Sequence, residues 1–198
     1  MAKQNKFRDV FEKYRYDKSA VTRSRSWFNQ QVNLLRAENI KRNRLMKPME
    51  ANLISDKVTP GYMYMFAYDP KHKKTLPYYD VFPLVFPFER TKNGFLGLNM
   101  HYLPYPLRIA LMDRLLVYAT DKNMDEMTKI RYSWATIART SRFSLAKPCI
   151  KEYLTSHVES QFRKVPAQDW FTALMLPVEG FVKASTTKVW ADSRKLIR

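Results

Sequence analysis

The chain has few of the residues from which catalytic and metal centres are usually built. It contains a single cysteine, Cys149, which excludes an internal disulfide and any multi-cysteine metal site and points to an intracellular origin. Its three histidines, His72, His101 and His157, are widely separated and lack the i, i+4 spacing and carboxylate neighbours of a metal-binding helix, so each reads as structural. Only four glycines are present, and none completes a GxxxxGK or GxSxG arrangement. Gly94-Phe95-Leu96-Gly97 falls in a strand-and-turn context that does not suit a dinucleotide fingerprint. Asp69, Asp80 and Glu89 are scattered over turns and strand ends rather than clustered to hold a divalent ion, so a nuclease or other hydrolase is not expected. No catalytic residue, metal site or cofactor is assigned. No apolar run approaches the roughly 20 residues needed to span a bilayer, and MAKQNKFRDVFEKYR at the N-terminus lacks the apolar segment of a secretory signal.

What is abundant is positive charge. Thirty-five Lys and Arg against 18 Asp and Glu give +17 and a pI near 10.0. A sustained positive field attracts phosphate; a solubility surface or an acidic protein partner is the alternative. The charge is concentrated at the ends. Residues 1–50 hold 13 basic against 5 acidic side chains, for +8, and residues 181–198 hold 5 against 1, for +4. The remaining 17 minus 12 leaves only +5 for the long middle. With 45% hydrophobic residues in 198, a real core and one domain with an extension are expected.

The middle is organised around residues 61–103, which carry three of the four glycines and many of the aromatic residues. Tyr62, Tyr64 and Phe66 alternate with Met63, Met65 and Ala67 at the period of a pleated strand. Val81 to Phe88 reads as a second strand, edge or bulged because Pro83 and Pro87 cannot donate to a ladder. Asn93-Gly94 supplies a tight turn, and Phe95 to Tyr102 returns as a third strand. A small antiparallel meander results.

The flanks read as helical. Phe7, Phe11 and Tyr14 share one face of a short N-terminal helix. Thr22 to Lys47 forms a basic amphipathic helix, with Phe28, Val32 and Leu35 on its apolar stripe and Arg23, Arg25, Arg36, Lys41, Arg42, Arg44 and Lys47 on its other faces. Trp27 and Phe28 would be exposed on a free arm, so the arm docks on something. After the meander, Pro104 and Pro106 introduce a helix from about Leu107 to Thr120. Met127, Ile130, Trp134 and Ile137 mark its antiparallel partner, Pro148 opens a third helix with Ile150, Tyr153, Leu154 and His157, and Pro166 opens a fourth with Trp170, Phe171, Leu174 and Met175. Ser185 caps a terminal helix bearing Val189, Trp190, Leu196 and Ile197. The fold class is α+β, a small antiparallel meander (61–103) packed against a helical C-terminal half (104–176) within a core of residues 51–184. A basic helical arm (1–50) and a basic helical tail (185–198) flank it.

One turn combines charge with stacking surfaces. Lys71, Lys73 and Lys74 sit beside Tyr68 and Tyr78-Tyr79, the pairing that single-strand or end binding uses, and Arg90 and Lys92 extend the patch if both turns project from one end. Solvated lysines over core tyrosines are the equally open reading. No recognition helix or zinc finger is present, so contact with nucleic acid would be to the backbone and not sequence-specific.

The runs MYMFAYDPKHKKTLPYYDVFPLVFPF, GFLGLNMHYLP, KPCIKEYL and VWADSRK resemble the DNA end protector proteins of contractile-tailed bacteriophages, over about residues 60–196. The resemblance implies a minor, non-catalytic virion protein, made in the host cytoplasm, that holds packaged phage DNA ends near the head–tail connector within a multi-subunit symmetric assembly. A baseplate or tail adaptor, with basic arms on neighbouring virion subunits, is the alternative.

Overall fold

The tyrosine–methionine alternation creates one short strand with two apolar faces, and both are covered. In the computed structural model, which describes residues 25–45, 53–117, 125, 128, 130–132, 134, 135 and 144–197, Met63, Tyr64 and Met65 are all buried. Met63 and Met65 enter the main core, whereas Tyr64 and Phe66 enter a separate aromatic cluster with Tyr68, Phe95, Tyr153 and Phe162. A pleated strand sends alternate side chains to opposite faces, so the strand divides the two cores.

The strands are β1 (Ile54–Ser55), β2 (Met63–Met65), β3 (Tyr79–Asp80), β4 (Leu84–Arg90), β5 (Gly94–Asn99), β6 (Ile150–Leu154), β7 (Phe162–Val165) and β8 (Phe181–Val182). Six form one antiparallel sheet in the order β1-β7-β2-β4-β5-β6, and β3 pairs with β8. The expected meander is its centre, β2-β4-β5. The helices are α1 (Arg25–Ala37), α2 (Arg42–Leu45), α3 (Tyr105–Val117), α4 (Trp170–Met175) and α5 (Thr186–Ile197). They contribute Phe28, Val32, Leu35, Leu111, Leu115, Leu174 and Val189 to the main core. Ile130 and Trp134, also helical, are buried as their spacing requires, with Trp134 edge-on to Phe86. The chain is therefore a mix of helix and antiparallel sheet, as the α+β reading holds.

Four expectations are corrected. The segment opened by Pro148 is strand β6, not a helix: Leu98 pairs with Ile150 and Phe95 with Tyr153, so a long-range ladder overrides the local spacing. Strand β7 likewise makes the 104–176 half less helical than its apolar periodicity implies. Strand β4, by contrast, takes the bulged of its two expected forms and not the edge one: it is central, the register shifts between Pro87 and Glu89, and Gly97 faces Pro87, where a Cβ would stand 2.3 Å from Val85 Cγ1. Proline is tolerated there because a bulge leaves ladder positions unpaired. The third strand stops at Asn99, whose side chain accepts from the His101 N–H and starts a 3-10 turn over Met100–Tyr102. Finally, the basic helix over 22–47 is interrupted: α1 ends at Ala37, and Asn39 takes φ 48°, which an α-helix does not accommodate.

Other readings agree with the structure. Phe28 is buried and Trp27 packs edge-on against it, so α1 is docked by its apolar stripe on α3 and α4. Helix α3 begins beside Pro104, whose carbonyl accepts from the Leu107 and Arg108 N–H groups. The Ser185 hydroxyl accepts from the Lys188 N–H at the start of α5. The proposed helix at Phe7 to Tyr16 lies outside the described residues, as do Tyr118, Met127 and Ile137. Among the described residues no helix is long and apolar enough to cross a membrane.

Candidate nucleic-acid interface

The turn between β2 and β3, the β4-β5 turn and strand β6 enclose a cleft of about 660 Å³. Five tyrosines line it, Tyr68, Tyr78, Tyr79, Tyr102 and Tyr153, together with Lys71, His72, Asn93, Lys151 and Glu152. The rings differ in what they offer. Tyr153 stacks on Phe95 at 5.3 Å and Tyr68 lies edge-on to Tyr153, so these two are fixed in the aromatic cluster. Tyr102 is buried beneath Lys151, whose Nζ lies 4.2 Å from the ring centroid. Tyr78 and Tyr79 are half-buried, and Tyr79 makes no ring contact among the described residues.

A buried polar network holds the floor rigid. Asp80 Oδ1 accepts from the Phe82 and Gly180 N–H groups at 3.0 Å each, and Oδ2 accepts from Asn99 Nδ2 at 3.1 Å and His101 Nδ1 at 2.8 Å. Burial opposes charge on this carboxyl, yet the His101 ring and the N–H donors outweigh it and hold it below the usual carboxylate range. Asn99 Nδ2 also donates to the Tyr153 hydroxyl at 3.0 Å. Behind them, Arg108 is fully buried; it donates to the carbonyls of Leu103, Leu174 and His101 and pairs with Glu179. Burial disfavours the Glu179 charge, but Arg108 keeps its carboxyl below the usual range. Trp190 of α5 donates to the His101 carbonyl at 2.9 Å. The network thus joins β3, β5, α3, the segment before β8 and α5 around the cleft floor.

The basic turn is equally well tied. Lys183 Nζ donates to the carbonyls of Lys73, Lys74 and Leu76, which closes the turn from beneath. Lys73 pairs with Asp69 at 2.7 Å, while Lys71 and Lys74 are exposed and make no ion pair among the described residues. His157 Nδ1 donates to the Asp69 carbonyl at 2.8 Å, a structural role like that of His101; His72 is on the cleft rim.

The structure gathers only part of the expected basic set. Lys71 lines the cleft, and Lys92 is exposed beside Asn93, which also lines it; Lys74 follows on the same turn, and Arg90 is exposed at the end of β4. Arg36 instead borders a different depression with Tyr105 and Trp190, and Lys41 is exposed nearby in sequence. Arg42 fastens α2 to the segment before β8 by donating to the carbonyls of Val178 and Glu179. Arg25 opens α1 and Arg44 lies in α2; Arg23 and Lys47 lie outside the described residues. The three acids occupy separate settings: Asp80 in the floor, Asp69 on Lys73, Glu89 exposed on β4. Among the described residues no three His, Cys, Asp or Glu side chains gather as a metal site.

Sequence reasoning passed over Lys151, Tyr102 and Tyr153. Reading IKEYL with a period of two rather than a helical one puts Lys151 and Tyr153 on one face, which is the signal that was available.

A family model described as the phage T4 terminal DNA protecting protein matches residues 2–193. No curated protein and no solved structure matches the chain.

Proposed function

The chain belongs to the family of the phage T4 terminal DNA protecting protein, and from that premise we propose that it is a non-catalytic virion protein that binds and caps the ends of packaged DNA near the head–tail connector. The observation that carries this reading is the union of Lys71 and Lys74, exposed and without an ion pair among the described residues, with a tyrosine-lined cleft on a rigid floor. Phosphate-neutralising cations beside stacking surfaces are what a DNA terminus offers contacts for, because only at a terminus are base faces uncovered. Protection then works by occlusion: an exonuclease cannot load on an end that is already held. The arm (1–50) and tail (185–198) supply further cations that follow the phosphate backbone without reading sequence.

The test is a gel shift with the same DNA in linear and circular form, followed by exonuclease digestion of the complex. An end-capping protein retards the linear form preferentially and slows its digestion. Equal retardation of both forms removes the end-capping assignment. Failure to bind either shifts the cations to neighbouring virion subunits, as in a baseplate or tail adaptor.

A further inference from the structure

Lys151 is the one cation of the cleft that sequence patterning did not single out, and its surroundings are unusual for a lysine. It lies on β6, partly buried, with its ammonium over the Tyr102 ring and with no carboxylate partner among the described residues. Burial pushes its pKa down, opposed only weakly by Cys149. Lysines in proteins mostly extend their charge into water, and one that is withdrawn without a counter-charge is stabilised when an anion arrives. The adjoining Asp80 does not provide that anion, because its carboxylate already accepts four hydrogen bonds.

The aromatic arrangement narrows the kind of anion. Tyr79 is half-buried on the cleft wall without an aromatic partner among the described residues, and Tyr78 is half-buried beside Tyr102. A simple inorganic anion has no use for these surfaces, whereas a nucleotide brings a phosphate and a base face together. The cleft volume falls within the roughly 300–1,000 Å³ of pockets for small organic ligands. A paired base inside a duplex cannot enter, since both its faces are covered by stacking.

We propose that this cleft receives an unpaired terminal nucleotide of a DNA strand, with its phosphate on Lys151 and its base against Tyr79. The proposal rests on the DNA-end reading and deepens it: the cations at Lys71 and Lys74 hold the strand leading in, and the cleft distinguishes a frayed or overhanging end from a flush one.

The experiment measures anisotropy of a duplex labelled at its far end, once blunt and once with a short single-stranded overhang, against the full chain and against Lys151→Met, Lys151→Arg, Tyr79→Ala and Tyr79→Phe. Free deoxynucleoside monophosphate is added as competitor in a separate arm. The overhang is expected to bind about tenfold more tightly than the blunt end. K151M and Y79A are expected to abolish that preference by lowering overhang affinity to the level of the blunt end or below, and K151R and Y79F to keep it. Thermal melts establish that each variant is folded. If the wild type binds blunt and overhanging ends equally, or if K151M and Y79A retain the preference, the cleft assignment is wrong and the end-capping reading survives. If neither duplex binds, both are wrong. Displacement of the overhang by the free monophosphate alone, at concentrations comparable to the DNA, would assign the cleft to soluble nucleotides and overturn the proposal.

Discussion

At the scale of single residues, the cleft depends on two buried carboxylates kept ionised. Asp80 and Glu179 both have carboxyls held below the usual range, Asp80 by His101 and its N–H donors and Glu179 by Arg108, in each case against the cost of burial. A carboxyl depressed in the folded state stabilises the fold above its unfolded pKa of about 3.9–4.3, and that contribution disappears as pH falls through the folded value. Stability is therefore expected to decline from about pH 4 downward, followed by urea midpoints across the acid range. Asp80→Asn keeps the shape but removes the charge facing His101. It is expected to cost about 3–5 kcal/mol at neutral pH and to make the acid decline shallower, with Glu179 and Asp192 among the groups that set the remaining slope. A variant whose acid decline parallels that of the parent chain would show that Asp80 is not the titrating group. Both side chains were visible in the sequence as isolated polar residues; their partnership was not, because Asp80 and His101 are joined only when β3 is laid beside the end of β5.

At the scale of elements, the segments legible in the sequence were those whose periodicity had one interpretation. Tyr62 to Ala67 alternates without ambiguity, and α3 combines two prolines at its entry with an apolar stripe at Leu111 and Leu115. Strand β6 was illegible for a specific reason. Ile150, Tyr153, Leu154 and His157 stand at i, i+3, i+4 and i+7, so five residues of strand satisfy a helical template, and only the partner β5 decides between them. That partner is held at very short range. A Cβ built on Gly94 would lie 1.8 Å from the Tyr153 carbonyl oxygen, so the backbones of β5 and β6 approach as closely as they do only because position 94 has no side chain. Gly94→Ala is accordingly expected to cost about 1–3 kcal/mol and to lever β6 away from the sheet. Amide hydrogen exchange is the discriminating measurement: residues 150–154 should lose protection while β2 and β4 retain it. Unchanged protection across β6 would mean that the sheet absorbs the methyl elsewhere. Because β6 carries Lys151 and Tyr153, the same substitution should also weaken binding in the cleft.

At the scale of the whole molecule, the question is how a net charge of +17 is used. Much of it lies in the terminal segments, while the middle of the chain adds a few exposed cations that have no ion pair among the described residues. Lys73 and Lys188 are neutralised by Asp69 and Asp192, and Lys183 is turned inward onto carbonyls. Lys71, Lys74, Arg90 and Lys92 remain exposed on neighbouring turns, with no ion pair of theirs among the described residues. Each cation that meets a phosphate releases a counterion, so the logarithm of the binding constant falls with the logarithm of salt by about 0.9 per contact. If the terminal segments and these turns act together, six to ten contacts imply a loss of about a thousandfold to a hundred-thousandfold in affinity between about 50 and 200 mM salt. The double substitution of Lys71 and Lys74 by alanine should then reduce the slope by about 2, and should do so equally for unrelated DNA sequences. A slope left intact by that change would move the contact surface from the turn to the arm and tail. An affinity almost independent of salt would go further, because a polyanion held by this many cations has no means of escaping the competition of free ions.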